Sequence, residues 1–210
     1  PIWKVRNSNG HYLSSLINNL PIIFKTQKIL RDNDQKIFIK EINKHLKSNT
    51  NIIITSGAVS AGKFDFVPGI IKNFKLANSF KGVAIRPGKP ILFSKFKNKN
   101  TAFFGLPGNP ISSAACFRFF IFPFLFTSLN IKKEKPFKAK LKNVFIKKKN
   151  FTRFIKGKIS FSNKGLIEFE VLKGQESFRI NSFTKANSWG FFPSGKSKFK
   201  KGQFIDCFTV

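Results

Sequence analysis

The chain has 210 residues, of which 39 are Lys or Arg and nine are Asp or Glu, giving a formal net charge of +30. Hydrophobic residues make up 41% of the sequence and include 29 Phe, which is ample material for a folded core and excludes wholesale disorder. The richest apolar stretch, 111–129, contains Arg118 and Pro123 and is typical of a buried helix, so we expect no membrane association.

The first part of the chain alternates short apolar runs with amphipathic segments. Residues 21–25 (PIIFK) and 51–55 (NIIIT) predict strands buried on both faces, and 34–47 between them has apolar residues at helical spacing. A strand–helix–strand unit of this kind favours a parallel sheet with a right-handed crossover. Further elements are predicted as strands at 82–86, 91–95 and 102–105 and a helix over 109–122.

The character of the sequence changes after residue 136, where short strand-like segments alternate with Gly, Asn and Lys. Short strands at regular spacing favour a small barrel or sandwich, and the charged segment 130–135 is the natural boundary. We therefore predict two domains, 1–130 and 131–210: a three-layer α/β/α domain with a mostly parallel sheet, then a small all-β, barrel-like domain. The predicted strands of the second domain are 138–145, 156–161, 166–171, 188–192 and 203–208.

Three turns that contain glycine follow predicted strands and are candidate binding elements. The segment 56–62 has small and hydroxyl residues that let the backbone approach an anion, although many such turns are glycine-rich only for packing. The turn 86–90 places two cations around prolines, and 106–110 places Asn109 where it can cap a helix. Because open α/β sheets bind ligands at the carboxyl ends of their strands, we expect the three turns to share one edge.

Asp65 is the only carboxylate between Glu41 and Glu134. In so basic a chain it is a candidate for holding a divalent cation beside an anionic ligand. The alternative is an ordinary residue at the start of a helix, favoured by the helix dipole, and without the neighbouring turns that alternative would be preferred.

These motifs, in this order and spacing, resemble the molybdopterin molybdenumtransferase family, which comprises the MoeA proteins and the gephyrin E-domain. The resemblance covers nearly the whole chain but only the C-terminal half of the family architecture, and it implies a MogA-like molybdopterin-binding fold followed by the family's β domain. The local departures include Ala58, which stands where the family has a second glycine, and Arg86, which replaces a frequent Lys. The matching segments are 55–65, 87–90, 106–110, 174–177, 186–188 and 192–195.

The resemblance implies insertion of molybdate into adenylylated molybdopterin, with release of AMP. It implies that Asp65 holds Mg²⁺, that Arg86 and Lys89 bind molybdate, and that Arg153 and Ser177 approach the same oxyanion. These carboxylate and cationic residues, Asp65, Arg86 and Lys89, are the implied catalytic set. The other implied substrate-binding residues are Ser56, Gly57, Ser60, Gly62, Pro87, Gly88, Gly108 and Asn109.

The implied partners are the pterin nucleotide and molybdate, a second copy of the full-length chain as a homodimer, and a molybdopterin adenylyltransferase upstream. The alternatives are a non-catalytic molybdopterin-binding or scaffold piece and, on net charge alone, a basic protein that binds RNA or other polyanions. Charge is spread evenly, with 19 basic and 4 acidic residues up to residue 127 and 20 and 5 after it, and no RNA-binding motif is present. We therefore expect no specific nucleic acid.

Two isolated cysteines, Cys116 and Cys207, are more typical of the reducing cytosol than of a disulfide scaffold, so a cytoplasmic location is expected. The sequence contains no Met, and we expect it to be a piece of a longer chain.

Overall fold

The computed structural model describes residues 7–18, 20–25, 27–31, 33–60, 62 and 65–210. These residues form two compact units, one within 1–82 and 90–117 and the other comprising 83–89 and 118–210. The segment 83–89 belongs with the second unit because Ile85 and Arg86 pair with a strand of that unit. The domain boundary at residue 130 stays a prediction, since the compact units alternate along the chain before that point.

The first unit combines four helices with a four-stranded sheet. The sheet order is β1-β5-β4-β2, in which β1 and β5 are parallel and the other two pairings are antiparallel. Its helices and strands are α1 (Ser8–Ile17), α2 (Gln35–Lys47), β1 (Ile52–Ser56), α3 (Val67–Lys72), β2 (Leu76–Lys81), β4 (Leu92–Phe96), β5 (Ala102–Leu106) and α4 (Pro110–Cys116).

The core of this unit lies between the sheet and two helices. Phe38 and Ile42 of α2 and Ile71 of α3 pack with Ile53 of β1 and Phe103 of β5. Helix α4 contacts β5 and α1 and contributes no residue to that cluster, and every residue of β5 is buried. Coverage of β5 on both faces gives the α/β/α layering that the sequence predicts.

The α/β class is confirmed, but the expectation of a mostly parallel sheet needs correction. Residues 21–25 form no strand, and β2, which the sequence pattern does not predict, pairs antiparallel with β4. β2 was missed because its residues, LANSFK, lack an apolar alternation and all but Leu76 are exposed. Only one of the three described pairings in this sheet is therefore parallel.

The second unit is built around a closed ring of five strands, in the order β8-β9-β6-β12-β10 and back to β8. The short β3 adds to β8 in parallel, outside the ring. The predicted barrel-like domain is thus confirmed, with one short helix, α6, inserted before β10. The elements are β3 (Ile85–Arg86), α5 (Phe122–Ser128), β6 (Phe137–Leu141), β7 (Phe145–Ile146), β8 (Thr152–Phe161), β9 (Ile167–Val171), α6 (Ile180–Thr184), β10 (Ser188–Phe192), β11 (Lys198–Phe199) and β12 (Phe204–Thr209).

Phe169 of β9 fills the centre of the barrel and is fully buried among apolar side chains from the other strands. Two glycines, Gly157 of β8 and Gly190 of β10, lie against its ring. A Cβ atom would come within 2.0 Å of the ring at Gly157 and within 2.7 Å at Gly190, closer than any real contact. Both positions therefore require glycine for the ring to fit.

The predicted helix over 109–122 is longer in the structure. It continues from α4 through a π-helical segment, Phe117–Ile121, into α5 and ends at Ser128. By length and composition this run could cross a membrane, but half of it is buried within the protein, as in a core helix. Arg118 within it pairs with Glu134 and donates to the carbonyl of Thr209. The absence of membrane association stays a prediction.

Candidate functional site

The turns that follow β1 and β5 lie against each other, because these strands are parallel neighbours and their carboxyl ends meet. The N–H of Gly57 donates to the carbonyl of Leu106 at 2.9 Å. A Cβ atom at Gly108 would lie 3.4 Å from the Cα of Gly57, so glycine permits this close approach. The Ser56 hydroxyl lies 3.2 Å from that of Ser113 in α4. Two of the three predicted turns therefore share one edge of the sheet.

Asn9 and Asn109 fix these turns from both sides. The Asn9 side-chain amide donates to the Ser56 hydroxyl at 2.6 Å and to the Gly108 carbonyl at 2.8 Å. Asn109 accepts from the backbone N–H of Ile111 at 3.2 Å and caps α4, as predicted. The role of Asn9 could not be predicted, because its partners are 47 and 99 residues away.

Ala58, which stands where the family has a glycine, adopts a left-handed backbone conformation. Gly57 has φ +99° and Ala58 has φ +54°. The left-handed conformation costs an L-residue with a side chain about 1–2 kcal/mol, a cost that glycine does not carry. The backbone nevertheless keeps this shape, since the Ala58 carbonyl accepts from Val67 at the start of α3.

Asp65 closes a short loop instead of beginning a helix. Its Oδ2 accepts from the N–H of Gly62 at 2.7 Å, and its own N–H donates to the Gly62 carbonyl at 3.0 Å. The helix predicted to start at about Asp65 is present but begins two residues later, at Val67, so Asp65 lies before it. Nearby, the Ser60 carbonyl accepts from the ammonium of Lys81 at 2.7 Å. Within the described ranges, no group of three His, Cys, Asp or Glu could hold a metal ion.

In the second unit, the two arginines predicted to bind the oxyanion are direct neighbours. Arg86 of β3 is the register partner of Arg153 of β8. The Nε of Arg153 is buried and has no hydrogen-bond partner among the described residues. Burial, followed by the charge of Arg86, lowers the pKa of Arg153 below its ordinary value. Two partly desolvated like charges side by side are unfavourable unless an anion joins them.

Phe151 lies beneath two of the predicted cations. The Arg86 guanidinium is 4.7 Å from the centre of its ring and the Lys89 ammonium is 5.9 Å away, both within cation–π range. The turn that carries these cations is closed by the N–H of Val83, which donates to the Lys89 carbonyl at 2.9 Å. Gly88 within this turn has φ +104° and follows Pro87.

Lys147 is a fourth cation in this region, and sequence reasoning missed it. It is 6% exposed, and its ammonium donates to the Phe151 carbonyl at 2.8 Å. Burial, and then the charge of Arg153, lowers its pKa. In the run KKKN nothing distinguishes Lys147 from its exposed neighbours. Across the residues that the structure describes, none of Arg86, Lys89, Lys147 and Arg153 forms an ion pair; we call these four residues, with Phe151, the cation cluster.

Ser177 lies in a turn of the same unit that is fixed to β8. The Lys156 ammonium donates to the carbonyls of Gly174 at 2.8 Å and of Glu176 and Arg179 at 3.2 Å. Thus Arg86, Lys89, Arg153 and the Ser177 turn all belong to the second unit. The sharing of one edge by the turn 86–90 and the two turns of the first unit stays a prediction.

Comparison with known proteins identifies the family of the first part of the chain. The family described as the probable molybdopterin binding domain matches residues 2–127, more than half of the sequence. The chain belongs to this family. Residues 138–209 match a second family, described as the MoeA C-terminal region (domain IV).

Curated relatives and solved structures agree with this membership. The chain is 33% identical over 209 residues to the molybdopterin molybdenumtransferase of Staphylococcus aureus strain COL, covering 97% of this chain and 48% of that protein. The molybdopterin molybdenumtransferase of Staphylococcus epidermidis strain RP62A is 31% identical with the same coverage. The chain therefore spans about half the length of the curated relatives it matches.

Solved structures of other proteins have the same fold as this chain. The crystal structure of the molybdopterin biosynthesis moeA protein from Pyrococcus horikoshii OT3 aligns with a TM-score of 0.71 at 21% identity, covering all of this chain and 48% of that one. A molybdenum cofactor biosynthesis protein from Pyrococcus furiosus aligns with a TM-score of 0.74 at 18% identity, covering 97% of this chain and 64% of that one. At these identities the likeness concerns the fold.

Proposed function

We propose that this chain is the pterin- and molybdate-binding part of a molybdopterin molybdenumtransferase, which inserts molybdate into adenylylated molybdopterin and releases AMP. The names of the curated relatives support the reaction class. The observation that carries the assignment of molybdate is the cation cluster. Four cations without an ion-pair partner in the described residues, one with a buried and unsatisfied Nε, suit a small oxyanion.

The cations would act by charge and orientation. Arg86 and Arg153 would offer guanidinium N–H groups to the oxygens of molybdate, and Lys89 would add a point charge. Phe151 would hold Arg86 and Lys89 side by side and leave their charges free for the anion. An acidic residue in the same place would neutralise them. These groups would offset the negative charge that accumulates when the dianion approaches a phosphoanhydride.

The first unit would bind the pterin nucleotide at its paired turns. The N–H of Gly57 is already bound to Leu106, so Gly57 would contribute open space for close approach instead of a hydrogen bond. The Ser56 and Ser60 hydroxyls, with the glycines Gly62 and Gly108, would line the phosphate position, and Asn109 would keep the second turn in place. This division assigns the nucleotide to the first unit and molybdate to the cation cluster.

The surroundings of Asp65 suit a metal ion held jointly by this carboxylate and the substrate. They suit a metal ion held by protein ligands alone less well. One carboxylate is present, and one of its oxygens already accepts from Gly62. Mg²⁺ is commonly held by one or two carboxylates together with substrate phosphates and water. Such an ion would supply charge to polarise the phosphoanhydride. We also propose that the full-length form is a cytoplasmic homodimer that receives its pterin nucleotide from a molybdopterin adenylyltransferase.

The test is calorimetric titration of molybdate into the 210-residue chain and into two matched variants. Arg153→Met removes the half-buried guanidinium but keeps an apolar stem, whereas Lys158→Met removes one charge from an exposed position of the same strand. We expect Arg153→Met to weaken binding and Lys158→Met to leave it unchanged. Equal losses in both variants would indicate general charge attraction, as would binding that disappears at moderate salt.

A further inference from the structure

Lys147 lies in the loop between β7 and β8, at the start of a run of three lysines that precedes Asn150 and Phe151. The next two lysines, Lys148 and Lys149, are exposed, whereas Lys147 is buried. Its ammonium donates to the Phe151 carbonyl at 2.8 Å and to the Lys148 carbonyl at 3.3 Å. The side chain therefore folds back onto its own loop instead of extending into solvent.

Other contacts of Lys147 attach it to the body of the second unit. Its backbone N–H donates to the Ser197 carbonyl at 2.8 Å, directly after the pairing of Ile146 with Lys198. Its ammonium lies 5.9 Å from the centre of the Phe199 ring, and Phe199 belongs to the hydrophobic core of the barrel. Because both the backbone and the charged end of Lys147 are held, the ammonium has a defined position from which it binds the loop.

The peptide group between Phe151 and Thr152 is held at both of its polar atoms. Its carbonyl accepts from the Lys147 ammonium, and its N–H, which belongs to Thr152, donates to the Ala84 carbonyl at 3.0 Å. The register of β8 with β10 stops at Arg153, so this carbonyl lies beyond the strand pairing on its side of β8. The ammonium supplies the donor that a neighbouring strand would otherwise provide. The peptide therefore cannot rotate without breaking one of these two hydrogen bonds.

The ring of Phe151 connects this peptide to the cation cluster. The Arg86 guanidinium and the Lys89 ammonium lie 4.7 and 5.9 Å from the centre of the ring. Cation–π attraction extends to about 6 Å, so a small displacement of the ring away from Lys89 would end that contact. Since the backbone of Phe151 carries the ring, the peptide that Lys147 holds determines where the ring lies beneath the two cations.

We propose that Lys147 is a positioning residue for the oxyanion site: its ammonium fixes the peptide between Phe151 and Thr152, and with it the ring that aligns Arg86 and Lys89. This inference rests on the proposed function. It assigns Lys147 a role that acts through Phe151 and not by direct contact with the anion. Two of the three donors of the ammonium are already directed at carbonyls of the loop, which favours this indirect role.

The experiment is calorimetric titration of molybdate into the parent chain, Lys147→Met and Lys148→Met, at a salt concentration that screens general charge attraction. Both variants remove one lysine charge from the same loop, and the Lys148 side chain is exposed. We expect Lys147→Met to weaken molybdate binding about fivefold, the equivalent of two weak cation–π contacts. It should also raise the hydrogen-exchange rate of the Thr152 amide about tenfold. Lys148→Met should change neither, and equal weakening by both variants would overturn the inference.

A double-mutant cycle with Phe151→Leu distinguishes positioning from direct contact between the Lys147 ammonium and the anion. If Lys147 acts through the ring, adding Lys147→Met to Phe151→Leu should weaken molybdate binding further by less than about twofold. A further loss as large as the one that Lys147→Met causes in the parent would show that the charge acts directly on the anion, and the inference would be wrong.

If Lys147→Met does not fold, Phe151→Leu alone still tests the inference. It should weaken molybdate binding about fivefold through loss of the ring. Phe161→Leu, the same substitution at a 76% exposed position of β8, is the matched control and should leave binding unchanged. Unchanged binding by Phe151→Leu would overturn the inference, because the ring would then have no part in orienting the cations.

Failure of the proposed function and failure of the inference give different results. Absence of molybdate binding by the parent chain refutes the proposed function, and the inference falls with it. Binding by the parent that Lys147→Met leaves unchanged, with the chain folded, refutes only the inference.

Discussion

Replacing Gly157 with Ala should destabilise the second unit more than an ordinary surface change. The added methyl would lie 2.0 Å from the tip of the Phe169 ring, so the ring or the strand would have to move by more than 1 Å. The ring tip is also confined by Gly190 of the neighbouring strand β10, where a Cβ atom would lie 2.7 Å from it, and Phe169 is fully buried, so the ring has little room to move. Overpacking a core costs about 1–3 kcal/mol, and we expect the upper end of that range or beyond.

The measurement is urea unfolding followed by tryptophan fluorescence, with Trp189, a buried residue of the barrel strand β10, as the reporter. Lys158→Ala, at an exposed position on the same strand, is the control and should stay within about 0.5 kcal/mol of the parent. Adding Phe169→Leu to Gly157→Ala removes the ring tip, so the double variant should lose less than the sum of the two single losses. A free energy of unfolding for Gly157→Ala within about 0.5 kcal/mol of the parent would refute the packing argument.

Four further outcomes are expected. In the full-length protein, Asp65→Asn should abolish metal-dependent AMP release while pterin-nucleotide binding persists, because the amide lacks the charge that Mg²⁺ favours; unchanged AMP release would remove Asp65 from the mechanism. Lys89→Ala should weaken molybdate binding by calorimetry about ten- to a hundredfold, the equivalent of one charge-assisted hydrogen bond. Asn109→Ala should lower the free energy of unfolding by about 1 kcal/mol through loss of the α4 cap, measured by urea unfolding. Burial raises the pKa of Cys116 and Cys207 from 9.0 to about 12, so the unfolded thiols ionise first and the thiol contribution to stability should fall as pH rises from 9 towards 12. Because the lowered pKa values of Lys147 and Lys156 act in the opposite direction, the measurement is the melting temperature of the parent relative to a Cys116→Ala/Cys207→Ala variant, and a difference that stays constant over this range would contradict the argument.

Local sequence patterns predicted most of the strands but not their neighbours. The predicted strands at 188–192 and 166–171 match β10 and β9 almost residue for residue, because alternating apolar residues between Gly and Asn turns define short strands locally. The segment 21–25 is as apolar as β1, yet Ile23 is 88% exposed. Apolar composition alone therefore does not establish that a segment pairs with another strand in a sheet.

Prediction of the candidate site from sequence is limited in the same way, because its residues come together only through tertiary contacts. The turn 86–90 identified Arg86 and the family resemblance implied Arg153, but their adjacency depends on a two-residue parallel pairing between segments 67 residues apart. The same applies to Lys147 and Asn9, whose importance comes from contacts that a single sequence does not display. The residue types at turns can be identified from the sequence. Their burial and the pairing of the strands that carry them, which determine their chemical behaviour, depend on the tertiary structure.

The makeup of the cation cluster has a consequence for ion selection. Two guanidinium groups and two ammonium groups with no described ion-pair partner attract any tetrahedral dianion, and charge alone distinguishes molybdate poorly from sulfate, which has the same shape and charge. Sulfate should therefore compete for the cluster and raise the melting temperature of the chain much as molybdate does. Under the proposed function, discrimination would then arise in the step that consumes the bound ion, and the ratio of the two oxyanions in the cell would determine how often the cluster holds a reactive one.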